Sequence, residues 1–328
     1  MDNIIIHKPI LITGSHRSGT TWVGNILKKA PNVFYIHEPL TPNSITRSSL
    51  FFDLWYQYYD PTSDYSETSS VLEKLFAGNY HLSSVLHFKK KLPHTDYRNP
   101  NGVNDDSFDY KYLKWRWMTF LDSLKMRGSP NLIPLIKDPI ALTAAEWLYE
   151  KWQCRNVILM RHPAAFVSSL KRLEWRFNFE NFTNQPKLMD RFFSTIRSEI
   201  EDPPNDPLAE AALIWKCLTI IIMDYQQKHS DWIYKRHEDL SMDPMNEFEQ
   251  LCSELDLEFT DKIKSEIAKT SSASNPQDVS EKSKVHELQR DSKANITSWK
   301  NRLSVSEIEI VKRMTKDLAD QYYTDEEW

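Results

Sequence analysis

Five short apolar runs, separated by helix-like patterns, are the clearest structural signal along the chain. They are residues 9–13, 32–36, 132–136, 156–160 and 232–235. Short runs that are apolar throughout are typical of strands buried on both faces, as in a parallel sheet. Pro134 weakens the third run as a strand, because proline cannot donate a hydrogen bond to a sheet ladder.

Helical patterns lie between or after these runs. Residues 20–30 follow the first run, residues 140–152 follow the third, and residues 208–225 carry an apolar stripe at helical spacing. Asp138 and Pro139 offer an N-cap and a proline at the first helical position. Strands that alternate with helices predict an α/β fold in which helices flank a doubly wound parallel sheet.

Two stretches depart from this alternation. Residues 41–112 are rich in aromatic residues, which are densest at 51–59, and also contain the basic run at 89–91. We interpret them as a mostly helical insertion over the active edge of the sheet, in which the aromatic stretch packs as a helix onto the domain. Residues 268–298 are polar and rich in serine, which indicates a surface loop. We expect a single domain over residues 1–328.

Each predicted strand is followed by residues that are capable of chemistry. In chain order these are a glycine loop, His37 with Glu38, Lys137 with Asp138, Arg161 with His162, and residues 236–239. Because ligands of open α/β sheets bind at the carboxyl ends of the strands, the functional site is expected at this edge. We expect Asp138 to cap a helix, and Glu238 and Asp239 to organise the sheet edge.

The loop after the first strand reads GSHRSGTTW over residues 14–22 and holds two of the six glycines, Gly14 and Gly19. Glycines let successive N–H groups point inward, and the helix that follows adds its positive end, so the loop suits an oxyanion. Arg17 adds a positive charge, and Ser18, Thr20 and Thr21 add hydroxyl donors. The alternative is a tight strand-to-helix turn that binds nothing.

Thr20 stands where an ATP-binding loop of this spacing has its lysine. That lysine serves the β- and γ-phosphates, and a loop hydroxyl binds Mg²⁺. The sequence of this loop therefore favours a ligand with less charge to neutralise and no metal.

A second anion-binding pattern follows the fourth strand. Arg161 ends the strand, and Ser168 and Ser169 lie on the next predicted helix. The turn between them can bring Arg161 and Ser169 around one phosphate. The alternative is that Arg161 only caps the sheet.

Together, the glycine loop and the Arg161–Ser169 pair resemble the sulfotransferases that use 3′-phosphoadenosine 5′-phosphosulfate (PAPS). The segments RHEDLSMDP at 236–244 and SKANITSWKNRLS at 292–304 are similar to two further segments of that family. The resemblance implies a P-loop-like fold, PAPS as co-substrate, 3′-phosphoadenosine 5′-phosphate (PAP) as product, and a late cofactor-binding loop at 268–298. The implied nucleotide-binding residues are Gly14, His16, Arg17, Ser18, Gly19, Thr20, Thr21, Trp22, Arg161, Ser169 and Lys293.

Three positions depart from the cytosolic members of that family. Arg17 replaces their loop lysine but keeps its charge, so the resemblance implies that Arg17 takes part in catalysis as well as in nucleotide binding. Of their late Arg-Lys-Gly, this chain keeps only the lysine, as Lys293. Pro139 stands at the position of their catalytic histidine and cannot accept a proton. For Trp22, stacking on adenine and packing in the core are both open.

The general base must therefore be another residue at the strand ends. Carbohydrate and tyrosylprotein sulfotransferases have a glutamate in the region of Glu38, so the resemblance favours Glu38 as the base, with His37 as second choice. The alternative is that Glu38 pairs with Arg17 or caps a turn. Lys137 is expected to stabilise the sulfuryl group or the leaving phosphate, or to form a surface salt bridge.

The sequence thus predicts a sulfotransferase that acts on a hydroxyl acceptor, for which the glutamate favours a carbohydrate or glycolipid. The aromatic residues 51–59 are an alternative lining for the acceptor pocket. Two other functions remain open, namely a nucleotide kinase or NTPase with a degenerate loop, and an inactive nucleotide-binding homologue.

The composition limits the partners and the cellular compartment that we expect for this chain. The formal net charge of −5 argues against nucleic-acid binding, and the three cysteines, which form no C-x-x-C, fit free thiols in a reducing compartment. We find no signal peptide and no apolar stretch long enough to span a membrane, so we expect a soluble cytoplasmic protein. The histidines show no metal-ligand spacing, and no metal is expected.

Overall fold

The computed structural model describes residues 8–40, 54–78, 131–277 and 289–328, together with the helical positions 117, 120, 121 and 124. Five parallel strands form one sheet in the order β2-β3-β1-β4-β5. The strands are β1 (Ile10–Gly14), β2 (Val33–His37), β3 (Ile133–Lys137), β4 (Arg155–Met160) and β5 (Ile233–Arg236). All five predicted strands are confirmed, with boundaries that differ by one residue from the apolar runs.

Pro134 lies within β3 and costs the sheet no hydrogen bond. The N–H of Ile133 bonds to Asn32 on the β2 side, and the N–H of Asp138 bonds to Ile12 on the β1 side. Because N–H groups of successive strand residues point to opposite sides, the missing N–H of Pro134 would have faced β1. The pairing of β3 with β1 begins only at Leu135, which is why proline is tolerated there.

Helices flank both faces of the sheet. In chain order they are α1 (Thr20–Leu27), α2 (Ser66–Phe76), α3 (Ala145–Trp152), α4 (Pro163–Leu173), α5 (Glu180–Thr183), α6 (Pro186–Phe192), α7 (Arg197–Glu201), α8 (Pro207–Lys228), α9 (His237–Met242), α10 (Pro244–Glu254), α11 (Asp261–Ser271), α12 (Ser292–Thr297) and α13 (Val305–Ala319). In the part of the chain that the structure describes, 3₁₀ turns cover Pro139–Ala144, Ser298–Asn301 and Asp325–Glu327. The sequence thus correctly predicts an α/β fold of P-loop type.

Successive strand residues pack into different cores, as a sheet covered on both faces requires. Ile10 and Ile12 of β1 lie in the core under α1 and α10, and Leu11 lies in the core under α4 and α8. All three side chains are fully buried. Helix α8 packs against both α4 and α13, which explains why its buried face is broader than one stripe.

The part of the insertion that the structure describes is only partly helical. Residues 54–65 are irregular, so the predicted aromatic helix is wrong there, and α2 follows at Ser66–Phe76. Tyr56 and Tyr59 are nonetheless buried, and the Tyr59 ring stacks on Trp147 with a centroid distance of 4.6 Å. This packing agrees with attachment of the stretch to the domain. The basic run at 89–91 lies outside the described residues.

The predicted surface loop at 268–298 is helical at both ends, since it contains the last turn of α11 and all of α12. The side chains of Thr270, Ser292 and Asn295 are buried in these helical parts. Thr270 accepts a hydrogen bond from the Trp22 indole, and Ser292 donates one to the Ser241 carbonyl, so these polar groups are satisfied inside the protein. All three cysteines, Cys154, Cys217 and Cys252, are buried free thiols, as predicted. Within the described residues, no helix combines the length and the apolar character that crossing a membrane requires.

Candidate active site

The two loop glycines occupy positions where a side chain would clash. Gly14 has φ +134°, and a Cβ placed on it would lie 1.9 Å from the carbonyl oxygen of Leu159. Gly19 has φ +92°, and its Cβ would lie 2.7 Å from Nδ1 of His237. The loop conformation therefore requires glycine at both ends.

The loop is anchored to the neighbouring strand and opens directly into α1. The N–H of Ser15 bonds to the carbonyl of Leu159 at 3.0 Å, and the Ser18 hydroxyl donates to the Ser15 carbonyl. Gly19 is the N-cap of α1 and has no side chain with which to cap it. The first N–H groups of α1 are consequently left for another acceptor, which is the arrangement that binds oxyanions at helix N-termini.

Two of the predicted ligand-binding side chains of the loop pack into the protein. His16 is buried, hydrogen-bonds through Nδ1 to the Tyr56 hydroxyl, and meets the edge of Phe166. The Trp22 indole is buried and donates to Thr270 at 2.9 Å. Contact of His16 with the nucleotide and contact of Trp22 with adenine therefore stay predictions.

Arg161 is the central cation of the second motif. Its side chain is buried, and Nη1 donates to the backbone carbonyl of Arg17 at 3.0 Å. Its own carbonyl accepts a hydrogen bond from the Trp215 indole at 2.8 Å, which fixes the end of β4 to α8. Burial lowers the pKa of Arg161 to about 10, and the neighbouring charges of Arg290 and Arg302 act in the same direction, against Glu238.

Arg17 joins the two predicted anion sites. Its Nε donates to the hydroxyl of Ser169 on α4 at 3.1 Å, and its guanidinium carbon lies 5.6 Å from the centroid of the Trp175 ring. The backbone of Arg17 has φ +67°, in the left-handed region that non-glycine residues rarely adopt. Hydrogen bonds therefore connect the loop to both members of the Arg161–Ser169 pair, which was predicted from a separate part of the sequence.

Buried donors without a partner mark the same place. Among the described residues, neither Nε of Arg161 nor the hydroxyl of Ser168 has a hydrogen-bond partner. Buried polar groups are normally paired, because an unsatisfied one costs on the order of 1–3 kcal/mol. A phosphate beside Arg161 and Ser168 would satisfy such donors, so the residues present fit an anionic ligand.

The sequence prediction missed Arg290 at this site and named His237 only as part of the strand ending at 236–239. Arg290 contributes positive charge to the surroundings of both Arg161 and His237, whereas the predicted Lys293 is exposed on α12. His237 lies against Gly19 and is buried. Arg290 immediately precedes Asp291, the N-cap of α12, and that capping pattern was the available signal. A role for Lys293 in nucleotide binding stays a prediction.

A buried ion pair lies at the neighbouring strand ends. Lys137 ends β3 with a fully buried side chain, and its ammonium contacts Oε1 of Glu38 directly after β2. The Glu38 side chain is 24% exposed and its backbone has φ +46°. Lys137 is thus no surface residue, and Glu38 has an ion partner in Lys137, whereas the sequence alternative had paired it with Arg17.

The lysine reaches this position beneath α1. A Cβ on Gly24 would lie 3.0 Å from Cγ of Lys137, so the small residue on α1 leaves room for the lysine stem. The pair therefore lies beside the helix that the loop begins. A cation and a partly exposed carboxylate at this place can serve an anionic transfer centre and a base, respectively.

His37, the second predicted base, lies next to this pair. Its Nδ1 hydrogen-bonds to the Tyr35 hydroxyl at 3.0 Å, and its Nε2 is 3.9 Å from Oε1 of Glu38. The imidazole therefore lies near the same carboxylate oxygen that Lys137 contacts. This geometry brings both predicted bases together, and the choice between them stays a prediction.

The predicted structural roles of two carboxylates are confirmed. Asp138 accepts the N–H of Ile140 at 3.2 Å and that of Leu40 at 2.7 Å, so it caps the turn after β3 and holds the chain after Glu38. Glu238 accepts the N–H of His162 at 3.0 Å and lies beside Arg161. Burial raises the pKa of Glu238, against the opposing charge of Arg161.

Comparison with known protein families decides which family has this arrangement. The model of the sulfotransferase family matches residues 9–261, which is more than half of the chain and includes the glycine loop, Glu38, Lys137, Arg161 and Ser169. The chain belongs to the sulfotransferase family. A search of curated proteins found no match.

Solved sulfotransferase structures resemble the fold at low sequence identity. The sulfotransferase STF9 from Mycobacterium avium is 14% identical, with a TM-score of 0.44 over 98% of this chain and 78% of its own. The sulfotransferase domain of the Synechococcus PCC 7002 olefin synthase is 17% identical, with a TM-score of 0.46 over 97% and 95% of the two chains. Mouse sulfotransferase SULT7A1, solved with PAP, is 13% identical, with a TM-score of 0.42 over 98% and 87%.

Whether this sulfotransferase binds a metal ion depends on the side chains that could coordinate one. Among the described residues, no group of three histidine, cysteine or acidic side chains is arranged to hold a metal ion. Independence of a metal stays a prediction for this sulfotransferase.

Proposed function

We propose that this sulfotransferase moves the sulfuryl group of PAPS to a hydroxyl acceptor, with Glu38 as the general base. The observation that carries the proposal is the contact network in which Arg161 holds the carbonyl of Arg17 and Arg17 holds Ser169. This network places the helix N-terminus of α1 beside a second cationic site, as a ligand with two separate anionic groups requires. PAPS has such groups at its 5′ and 3′ positions.

The glycine loop binds the 5′-phosphosulfate in this proposal. Gly14 and Gly19 give the loop its curl, and Ser18, Thr20 and Thr21 belong to the turn that begins α1. Backbone N–H groups and the helix dipole stabilise an anion here by charge-assisted hydrogen bonds. No lysine follows Gly19, which fits a donor that has no γ-phosphate.

Transfer takes place next to Lys137 and Glu38. Glu38 accepts the proton of the acceptor hydroxyl while the oxygen of that hydroxyl bonds to sulfur. The bond between sulfur and the bridging oxygen breaks at the same time, and its electron pair stays on the 5′-phosphate. Lys137 stabilises the charge that develops on that oxygen, since a buried ammonium acts more strongly than one in water.

We propose that the acceptor is a carbohydrate or a glycolipid. The support for this class is Glu38 together with Pro139, because the chain has a carboxylate base and no histidine after β3. In this proposal the insertion at 41–112 covers the acceptor and the segment 268–298 completes the nucleotide side.

The decisive experiment is transfer of labelled sulfate from PAPS to a panel of sugars, glycolipids and phenols. We expect transfer to a sugar hydroxyl without added Mg²⁺. Thermal shift separates the alternatives, because a ligand that binds only the folded state raises the melting temperature. Stabilisation by ATP with Mg²⁺, and none by PAP, would contradict the proposal and favour an NTPase. Stabilisation by PAP with no transfer to any acceptor would favour an inactive nucleotide-binding homologue.

A further inference from the structure

The peptide group that joins Arg161 to His162 is held by a side chain at each of its polar atoms. Its carbonyl, which belongs to Arg161, accepts a hydrogen bond from the Trp215 indole on α8 at 2.8 Å. Its N–H, which belongs to His162, donates to Oε1 of Glu238 on α9 at 3.0 Å. Because the C=O and the N–H of a planar trans peptide point in opposite directions, the two side chains hold this peptide from opposite sides.

Both side chains that hold the peptide are fixed themselves. Trp215 is 1% exposed and lies in the core that contains α4 and α8. Glu238 is also buried, and its second oxygen, Oε2, accepts a hydrogen bond from the Tyr323 hydroxyl at 3.3 Å. The Tyr323 ring meets the His162 ring edge-on, with a centroid distance of 4.8 Å. The peptide is therefore held by groups that are packed in the interior.

The Arg161 side chain depends on this backbone for its direction. Nη1 donates to the Arg17 carbonyl, whereas among the described residues Nε has no hydrogen-bond partner. The direction of a side chain depends on the backbone at its Cα and on the rotamers that this backbone allows. Movement of the peptide after Arg161 would therefore move the guanidinium away from the place where an anion would bind it.

Glu238 supports Arg161 without pairing with it. Burial lowers the pKa of Arg161, and the nearby charge of Glu238 opposes this effect. The two oxygens of Glu238 accept hydrogen bonds from His162 and Tyr323, and no ion pair joins Glu238 to Arg161, both of which the structure describes. A direct ion pair would occupy the cation that an anionic ligand needs. Glu238 thus fixes the backbone and leaves the charge of Arg161 for the ligand.

We infer that Trp215 and Glu238 are positioning residues for nucleotide binding, which act through Arg161 by holding the peptide that follows it. This inference rests on the proposed use of PAPS and deepens it, because it adds two residues that determine the affinity for the nucleotide without contact to it.

The first test measures the affinity for PAP by calorimetry. Trp215→Phe removes the indole donor but keeps a ring, and we expect it to weaken PAP binding about 3- to 10-fold. Glu238→Ala removes the acceptor of the His162 N–H and should weaken binding at least as much. Glu238→Gln retains an oxygen for that N–H and should keep the affinity within about threefold of the wild type. An affinity of Glu238→Gln as low as that of Glu238→Ala would contradict positioning by Glu238.

The second test repeats Trp215→Phe in the Arg161→Ala background. Residues that act through a shared partner give non-additive effects, whereas independent effects add. We expect Trp215→Phe to change the dissociation constant of PAP less than about twofold once Arg161 is absent. A structural role alone would give the same loss in both backgrounds.

Trp232→Phe is the matched control. Trp232 is buried just before β5, at the opposite end of the sheet from Arg161, and its indole N–H has no hydrogen-bond partner among the described residues. The substitution should lower the melting temperature and leave the affinity for PAP unchanged.

Unchanged PAP affinity in both Trp215→Phe and Glu238→Ala would overturn the inference, as would equal losses with and without Arg161. If Glu238→Ala does not fold, Trp215→Phe and its combination with Arg161→Ala decide in the same way. A wild type that binds no PAP would instead refute the proposed function.

Discussion

The ammonium group of Lys137 is completely buried, and the carboxylate of Glu38, which is 24% exposed, is its ion partner. The two charges are therefore in unequal surroundings. Water can solvate Glu38 if its partner is removed, but it cannot reach Lys137. Removal of one partner of a buried pair is costly because the other charge stays buried without compensation.

Because Lys137 is more deeply buried than Glu38, removal of Glu38 should lower the stability more than removal of Lys137. We expect Glu38→Ala to lower the free energy of unfolding by about 3–5 kcal/mol, and Lys137→Met, which fills the same space without a charge, to cost less than about 2 kcal/mol. Urea unfolding of the two variants measures the difference. Equal losses would mean that Lys137 is solvated in solution.

Glu38→Gln tests the role of Glu38 as general base, because glutamine has almost the same shape as glutamate. The amide keeps an oxygen near Lys137 but cannot accept the acceptor's proton, so we expect kcat to fall about 10²- to 10⁴-fold. The dissociation constant of PAP should stay nearly constant, because Glu38 contacts the acceptor and not the nucleotide in the proposed mechanism. His37→Asn is the matched comparison at the neighbouring position. A larger loss of kcat in His37→Asn than in Glu38→Gln would identify His37 as the base.

The strands were predictable because each is a short apolar run of the kind found in a sheet covered on both faces, although the edge strands β2 and β5 are only partly buried. Pro134 is tolerated within β3, since its missing N–H would have faced β1, with which β3 pairs only from Leu135 onward. The glycine loop was predictable for a similar local reason, as Gly14 and Gly19 hold conformations that other residues avoid. In both cases the physical requirement is contained within a few consecutive residues.

The contacts that cross between elements were not predictable. Nothing local to Arg17 shows that its side chain reaches Ser169, more than a hundred positions later in the sequence. Arg290 was overlooked for the same reason, because its closeness to Arg161 depends on how α11 and α12 pack. The aromatic residues 54–59 pack as expected without the expected helix, because burial of Tyr56 and Tyr59 requires no periodicity.

Gly14→Ala should disrupt the loop more than a typical glycine substitution. The added Cβ would meet the carbonyl oxygen of Leu159 at 1.9 Å, and this backbone atom belongs to β4 and cannot rotate away. With the unfavourable φ included, we expect a loss of about 3 kcal/mol or more in the free energy of unfolding. Chemical denaturation measures it. Gly78→Ala, at a positive φ outside the loop, is the control and should cost about 1 kcal/mol.

Arg161→Ala should weaken PAP binding by about 1.5–3 kcal/mol, the range for a charge-assisted hydrogen bond. The structure adds a second reason, since the same side chain holds the Arg17 carbonyl in place. Arg155→Ala is the control at the opposite end of β4, where the side chain bonds to the Leu255 carbonyl. It should change stability but not the affinity for PAP measured by calorimetry. Unchanged affinity in Arg161→Ala would contradict the proposed nucleotide site.

Buried histidines predict how stability depends on pH. Burial, and then the charge of Arg17, lowers the pKa of His16 from 6.5 to about 3, and burial first, followed by nearby cations, does the same for His162. The unfolded chain therefore binds protons below pH 6.5 that the folded chain refuses, so stability falls from that pH down to about 3. Each histidine contributes a slope of up to about 1.4 kcal/mol per pH unit.

His16→Asn, which retains a polar atom facing Tyr56, should reduce the slope of the unfolding free energy between about pH 6 and pH 4 by that amount. Parallel curves for variant and wild type in urea unfolding would show that His16 is protonated in the folded protein.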